Sequence, residues 1–281
     1  MFAKINHLAI TTDNFTSLAV FYRSLFGLHS DHSSKREHQA ISVGDGYLGM
    51  NLNPRMPGRQ AGFDHFGIEV ESIETVSERL KRRYPKVGLV KRPSNRPFAS
   101  YSMHDPVGNY FDLSQQGMAN RGEVYVDGQR DQKRRFSHFA LRAIEPRQLA
   151  DFYIDVFELT PKNAPEDGGA IHLTDGRMTM VILPWNIADF LGSGIERPAP
   201  DHIGFEVESL EVLKKDLEIM CLNPVMQPKP LGHGPEGQVR RKLFEKTGLG
   251  KFYLSDPDGV LIAVNERPSA GPIDLTPTLR P

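Results

Sequence analysis

One stretch of the chain occurs twice. DHFGIEVESIE at residues 64–74 returns as DHIGFEVESLE at residues 201–211, identical at 8 of 11 positions. Two further echoes keep the same order. HLAITTDNFTSLAVFYRSLFGL (7–28) aligns without a gap with HFALRAIEPRQLADFYIDVFEL (138–159), sharing the leading His, an Ala two residues on, an FY pair and the final Leu. SMHDPVGNYFDLS (102–114) is answered by YLSDPDGVLIAVN (253–265). Three ordered echoes point to duplication rather than chance. A length of 281 residues suits two domains of roughly 150 residues each. The polar stretch GMANRGEVYVDGQRDQKRR (117–135) ends in a basic run and reads as a linker. The expected units are therefore 1–116, the linker 117–135, 136–266, and a Pro-rich tail over 267–281.

Each half is itself doubled, because each holds two apolar, alternating stretches that carry a His: His7 and His65, then His138 and His202. INHLAI reads as a strand. Asp13 or Asn14 then caps a helix whose Phe15, Leu18, Phe21, Tyr22 and Leu25 fit a 3.6-residue period, and Gly27 ends it. Pro146, Leu149, Phe152, Tyr153 and Val156 repeat the pattern, with proline in the tolerated first turn. GIEV runs into IETVSERLKRR and GFEV into LEVLKKDLEIM, again strand then helix. After each helix come short β-rich runs with Gly-containing turns, such as AISVGDGYLGMNL and AIHLTDGRMTMVIL. The unit is β-α-β-β-β, expected four times, which makes an α+β fold.

Composition narrows the partners. Lys plus Arg total 34 against 35 Asp plus Glu, leaving no basic excess for nucleic-acid phosphates or anionic lipid. The single cysteine, Cys221, excludes an intramolecular disulfide and a thiolate zinc cluster. No apolar run approaches the roughly 18 residues that span a bilayer, and MFAKINHLAI lacks a long apolar signal segment. A cytoplasmic protein with a small-molecule partner is expected, with no nucleic acid and no membrane; a homo-oligomer is left open.

A His on the first strand, a DHxG-like second His strand, and DPVGNYFD ending in an acid appear in order in the first half and largely recur in the second. In this the chain resembles the vicinal oxygen chelate superfamily, which groups glyoxalase I, extradiol ring-cleavage dioxygenases, methylmalonyl-CoA epimerase and the bleomycin and fosfomycin resistance proteins. The resemblance covers about residues 4–266. It implies that two β-α-β-β-β units pair into an incomplete barrel with a metal in its cleft. Four units in one chain are most similar to the type I extradiol dioxygenases, so the resemblance implies two tandem glyoxalase/extradiol-dioxygenase-like domains.

Carried over residue by residue, the resemblance implies His7, His65 and Asp112 as metal ligands. Two neutral imidazoles and one carboxylate around a divalent iron leave room for a bidentate substrate and dioxygen side by side. Extradiol relatives carry Glu at the acid position; Asp is one methylene shorter, which brings the metal nearer the strand. The second half is the catalytic one in two-domain extradiol enzymes, and here it has His138 and His202 but no matching acid. Seven residues from Asp105 lead to Asp112, whereas seven from Asp256 lead to Ala263. Glu266 has the opposite strand parity and reaches inward only through a bulge. His138, His202 and Glu266 stand as the second-domain alternative.

Tyr253 matches the family's active-site tyrosine; the first half has Ser102 at the equivalent place, with His104 and Tyr101 nearby as candidates for proton transfer. His233 lies in a Gly- and Pro-rich loop, LGHGPEG, that reads as a lid. Asp105, Pro106, Gly108, Asp256, Pro257 and Gly259 read as turn formers that aim the last strand. The expected function is a non-haem Fe(II) extradiol-type dioxygenase acting on a catecholic or similar bidentate aromatic substrate, with Mn(II), Zn(II) or Ni(II) as alternative ions. Two other readings stay open: a glyoxalase- or epimerase-type lyase or isomerase, and a small-molecule-binding protein of the bleomycin-resistance kind.

Overall fold

The computed structural model describes residues 2–30, 40–92, 98–117, 132–163, 169–193, 195–232 and 234–267. Most of the linker, the tail from 268 on and His233 lie outside the described residues.

The first half runs β1 (Ala3–Thr12), α1 (Phe15–Phe26), β2 (His29–Ser30), β3 (Ile41–Gly44), β4 (Gly49–Pro54), then β5 (Gly62–Val70), α2 (Ile73–Arg83), β6 (Leu89–Lys91), β7 (Tyr101–His104) and β8 (Tyr110–Gln115). These strands form one eight-stranded sheet in the order β2-β3-β4-β1-β5-β8-β7-β6. The second half begins with β9 (Arg135–Ala143), α3 (Pro146–Phe157), β10 (Thr160–Pro161), β11 (Ile171–Thr174), β12 (Thr179–Pro184) and α4 (Ile187–Ser193). It continues with β13 (Pro200–Val207), α5 (Leu210–Met220), α6 (Gly234–Lys246), β14 (Phe252–Ser255) and β15 (Leu261–Glu266). Its seven-stranded sheet, β10-β11-β12-β9-β13-β15-β14, repeats the first order without a counterpart of β6. The fourth module thus departs from the expected unit, with α6 in the connection where the second module has a strand.

The helices follow their sequence signals. Leu18, Phe21, Tyr22 and Leu25 are buried on one face of α1, and Gly27 closes it in the left-handed region at φ 65°. Asn14 occupies the N-cap position without a side-chain capping bond. Ser72 and Ser209 cap α2 and α5, accepting from the N–H groups of Thr75 and Val212.

Two β-bulges decide which side chains face inward. In β1 the pairing with β5 slips at Asn6, and in β9 the pairing with β13 slips at Ser137. A bulge reverses the alternation. Ile5, Leu8 and Ile10 therefore all reach the hydrophobic core, as do Phe136, Phe139 and Leu141, while His7 and His138 face the interior of their sheets. A second slip passes over Asp64 in β5 and Asp201 in β13, placing each aspartate directly before the inward His65 or His202.

The outer faces and helices of both halves share one hydrophobic core. Phe26 stacks on Phe205 at 3.8 Å, and Phe66 lies 4.8 Å from Phe139. Buried polar bonds cross between the halves in reciprocal pairs. Tyr22 donates to Asp256 at 3.0 Å and Tyr153 to Asp105 at 2.9 Å. The backbone N–H of Ile5 donates to Asp175 at 2.6 Å and that of Phe136 to Asp45 at 3.0 Å. The duplicated FY and DPxG motifs therefore meet across the domain boundary, tyrosine of one half on aspartate of the other.

Candidate metal centre

His7 leaves the bulged β1, His65 leaves the antiparallel neighbour β5, and Asp112 leaves β8, which pairs with β5 in parallel. All three side chains are buried, and one ligand atom from each lies within 4.8 Å of the others. The His7 Nε2 atom is 3.3 Å from His65 Nε2. Asp112 Oδ2 is 3.3 Å from His65 Nε2 and 3.8 Å from His7 Nε2. A triangle with these sides has a circumradius of about 2.0 Å, so a single divalent ion would be within bonding reach of all three, given metal–ligand bonds of about 2.1 Å. The shorter Asp side chain reaches its partners without displacing the strand.

Neighbouring groups aim each ligand. Asp64 Oδ2 accepts from His65 Nδ1 at 2.6 Å, which leaves Nε2 facing the cluster. Asp112 Oδ1 accepts from Ser102 and Tyr110 hydroxyls, both at 2.8 Å, so only Oδ2 faces the imidazoles. His7 stacks on Phe98, ring centroids 4.6 Å apart, and lies opposite Gly67 in the β1–β5 ladder. A Cβ on Gly67 would come within 2.8 Å of His7 Cβ and 2.5 Å of Phe98 Cε1. The glycine of DHxG is therefore the space into which the first-strand histidine packs.

The charges suit a cation. Burial, and then the nearby His65, push His7 down to about 3, so it is neutral. Burial works against a charged His65 too, but hydrogen bonds to Asp112 and Asp64 outweigh it and hold the imidazole up at about 9. Asp112 pays for its burial and is still held well below the usual carboxylate range by His65. Burial and Asp112 push the Tyr110 phenol up to about 12, which keeps it a hydrogen-bond donor at neutral pH. Without an ion, the protonated His65 ring bridges two carboxylates, with Nδ1–H on Asp64 and the Nε2 proton toward Asp112. A divalent ion replacing that proton meets two neutral imidazoles and one carboxylate, the set a hard-to-borderline cation takes.

The other candidate residues stand elsewhere. Tyr101 is on the opposite face of β7, packed against the hydrophobic core, because it differs by one in parity from the inward Ser102. His104 is exposed; its Nδ1 donates to the Asp105 carbonyl at 2.8 Å and its Nε2 accepts from Gly88 N–H at 3.3 Å. Neither joins the cluster. Tyr253 is in the second domain, where its hydroxyl accepts from Gly250 N–H at 3.0 Å and donates to the Glu245 carbonyl at 3.3 Å.

Among the described residues the second domain forms no equivalent cluster. His138 and His202 do approach, with ring centroids 5.4 Å apart. Ala263 pairs with Gly204 as Asp112 pairs with Gly67, so the acid position holds a methyl group. Glu266 accepts from the Leu210 N–H at 2.8 Å at the start of α5 instead of turning inward. The interior here is apolar: Ala140, Val181 and Leu183 form their own cluster, and the α6 residue Phe244 lies 4.8 Å from His202. Where the second domain has Val181, the first has Asn51, bonded to Ser42.

Tyr110, Asp64, Gly67 and Phe98 stand at the site although the sequence assigns them no role, and Ser102 occupies the place equivalent to Tyr253. The repeated Asp-His dipeptide and the strand parity of Tyr110 with Asp112 carried the signal for two of them. Phe98 precedes β7 in a loop and left none.

Residues 4–113 match the family model described as Glyoxalase/Bleomycin resistance protein/Dioxygenase superfamily. That match covers the N-terminal domain, which is similar to the vicinal oxygen chelate superfamily. Solved structures extend the fold over both halves. A Mn(II)-bound glyoxalase from Novosphingobium aromaticivorans is 14% identical with a TM-score of 0.62, covering 94% of this chain and 82% of that one. The 2,2',3-trihydroxybiphenyl 1,2-dioxygenase from Sphingomonas wittichii strain RW1 is 13% identical with a TM-score of 0.62, covering 95% and 91%. An extradiol ring-cleaving dioxygenase from B.fuscum is 14% identical with a TM-score of 0.61, covering 94% and 71%. At these identities the likeness shows the vicinal oxygen chelate fold in tandem. A search of curated protein sequences finds no match.

Proposed function

We propose that the chain is a metal-dependent ring-cleaving oxygenase of the extradiol type, acting on a catecholic or similar bidentate aromatic substrate through its N-terminal domain. The observation that carries this reading is the donor triangle of His7, His65 and Asp112, with one imidazole nitrogen from each His and a single carboxylate oxygen. A divalent ion held there, Fe(II) in this reading, supplies a Lewis-acid centre for two vicinal oxygens and for dioxygen together.

The chain's own groups prepare that site. Asp64 takes the Nδ1 proton of His65 in a hydrogen bond and so fixes which nitrogen the ion meets. Ser102 and Tyr110 hold Oδ1 of Asp112, keeping the carboxylate monodentate. Phe98 and the gap at Gly67 hold the His7 ring in plane. Tyr110 is the titratable hydroxyl nearest the carboxylate, and with its pKa pushed up to about 12 by burial and Asp112 it stays protonated and holds Oδ1 as a hydrogen-bond donor.

The test is anaerobic reconstitution with Fe(II) or Mn(II), followed by oxygen uptake with a panel of catechols. Catechol-dependent uptake supports the oxygenase reading. Bound metal without uptake refutes it in favour of an isomerase or lyase, and failure to bind metal favours a small-molecule-binding protein.

A further inference from the structure

A cavity of about 940 Å³ lies between the two domains, on the side of His65 and His202 where Asp64 and Asp201 stand. Its wall carries Arg59, Arg142, Arg197 and Arg240 against Asp64, Glu196 and Asp201. Two of the three acids are already engaged. Asp64 bonds His65, and Asp201 accepts from His202 Nδ1, Arg142 Nε and Arg240 Nη2, each at 2.7 Å. Four arginines against three acids leave the wall one positive charge in excess.

The two inner arginines are held with donors to spare. Arg142 is 3% exposed; its Nη1 donates to the Pro184 carbonyl at 3.3 Å, and its Nη2 is buried with no acceptor. Arg240 Nη1 is also buried and without an acceptor. A guanidinium N–H away from both water and protein acceptors is a costly arrangement that an oxyanion relieves. Asp201 clamps both forks onto one wall, so the donors are preorganised rather than mobile.

Both arginines also mark where the second domain departs from its twin. The β1–β4 ladder pairs Thr11 with Asn53 where the β9–β12 ladder pairs Arg142 with Leu183. Arg240 belongs to α6, which replaces a strand of the first domain. The half that lacks the metal-ligating acid has thus acquired paired arginines instead.

We infer that the cavity between the domains binds the carboxylate or phosphate group of a small organic anion, held by Arg142 and Arg240. The volume admits a molecule much larger than an inorganic ion. The site contains none of the three metal-ligand candidates, meets them only through Asp64 behind His65, and does not depend on the proposed oxygenase activity.

The test is calorimetric titration of the full-length protein with inorganic phosphate and, separately, with phthalate, at matched ionic strength against sodium chloride. Saturable binding of either probe is expected, phosphate binding indicating a phosphate-ester ligand and phthalate binding a carboxylate. Arg240→Gln should weaken it at least tenfold. Arg240→Lys, which keeps the charge but loses the fork, should also weaken it. Arg241→Gln, on the same helix and paired with Glu245, should not. Asp112→Ala should leave anion binding intact even where metal is lost. Absence of binding beyond the chloride control, wild-type affinity in both Arg240 variants, or loss of binding in Asp112→Ala would overturn the inference.

Discussion

Replacing Tyr22 by Phe removes one hydroxyl from the bond that joins α1 to the DPDG turn of the other domain, and the cost should depend on pH. Asp256 is fully buried. Its Oδ1 accepts from the N–H groups of Asp258, Gly259 and Val260 at 2.8–2.9 Å, and its Oδ2 accepts from Tyr22. Burial raises its pKa from 3.8 to about 6. The folded state therefore holds this proton more tightly than the unfolded chain. The associated stability is fully present below pH 4 and is lost as pH rises through 6, amounting to about 3 kcal/mol at roughly 1.4 kcal/mol per unit. Above pH 6 the Tyr22 hydroxyl donates to a carboxylate, a bond worth about 1.5–3 kcal/mol; below pH 5 it meets a neutral carboxyl, worth about 1 kcal/mol. Tyr22→Phe should thus cost about 1.5–3 kcal/mol at pH 8 and about 1 kcal/mol at pH 5. Urea unfolding followed by far-UV circular dichroism and by fluorescence of the single tryptophan, Trp185, measures both. Because the domains share one core, the two signals should change together. A loss below about 0.5 kcal/mol at pH 8, or an equal loss at both pH values, would refute the assigned role of this bond.

Further outcomes follow from the metal centre. Gly67→Ala should cost about 1–3 kcal/mol and abolish metal binding, because the new Cβ meets His7 and Phe98; Gly204→Ala, which meets His138, should destabilise the protein without changing its metal content. Since His65 is held up at about 9, metal uptake near pH 7 should release a proton, and affinity should rise about tenfold per pH unit up to 9. Calorimetry in buffers of different ionisation enthalpy reads that proton, and its absence would mean that His65 is not displaced from its protonated form. Tyr253→Phe should leave turnover unchanged and lower stability by about 1 kcal/mol, since its hydroxyl serves only two local bonds; a large fall in turnover would return Tyr253 to the active site.

The duplicated architecture was readable because a module's echo survives in residues that every copy needs. His7 and His138, the Asp-His dipeptides, and the turn aspartates Asp105 and Asp256 mark equivalent points of two sheets with the same strand order. Counting from those turns identified Ala263 as the residue at the acid position, and the strand register agrees. Strand alternation is interrupted where the chain bulges. Nothing in INHLAI announces that Asn6 is extra, although that slip separates the core-facing Ile5 from the inward His7. Tyr101 and His104 were attractive as titratable groups, but β7 presents Ser102 to the site instead. The tyrosines of the FY pairs read only as core positions, because their partners lie 234 and 48 residues away in the other domain.

The central claim is that metal is held by the N-terminal domain, and metal content per chain after anaerobic reconstitution with Fe(II) tests it directly. The wild type and His138→Ala should each retain one ion, measured by mass spectrometry of the desalted protein, while Asp112→Ala should lose nearly all of it. Metal retained in Asp112→Ala and lost in His138→Ala would contradict the assignment and move the centre to the second domain.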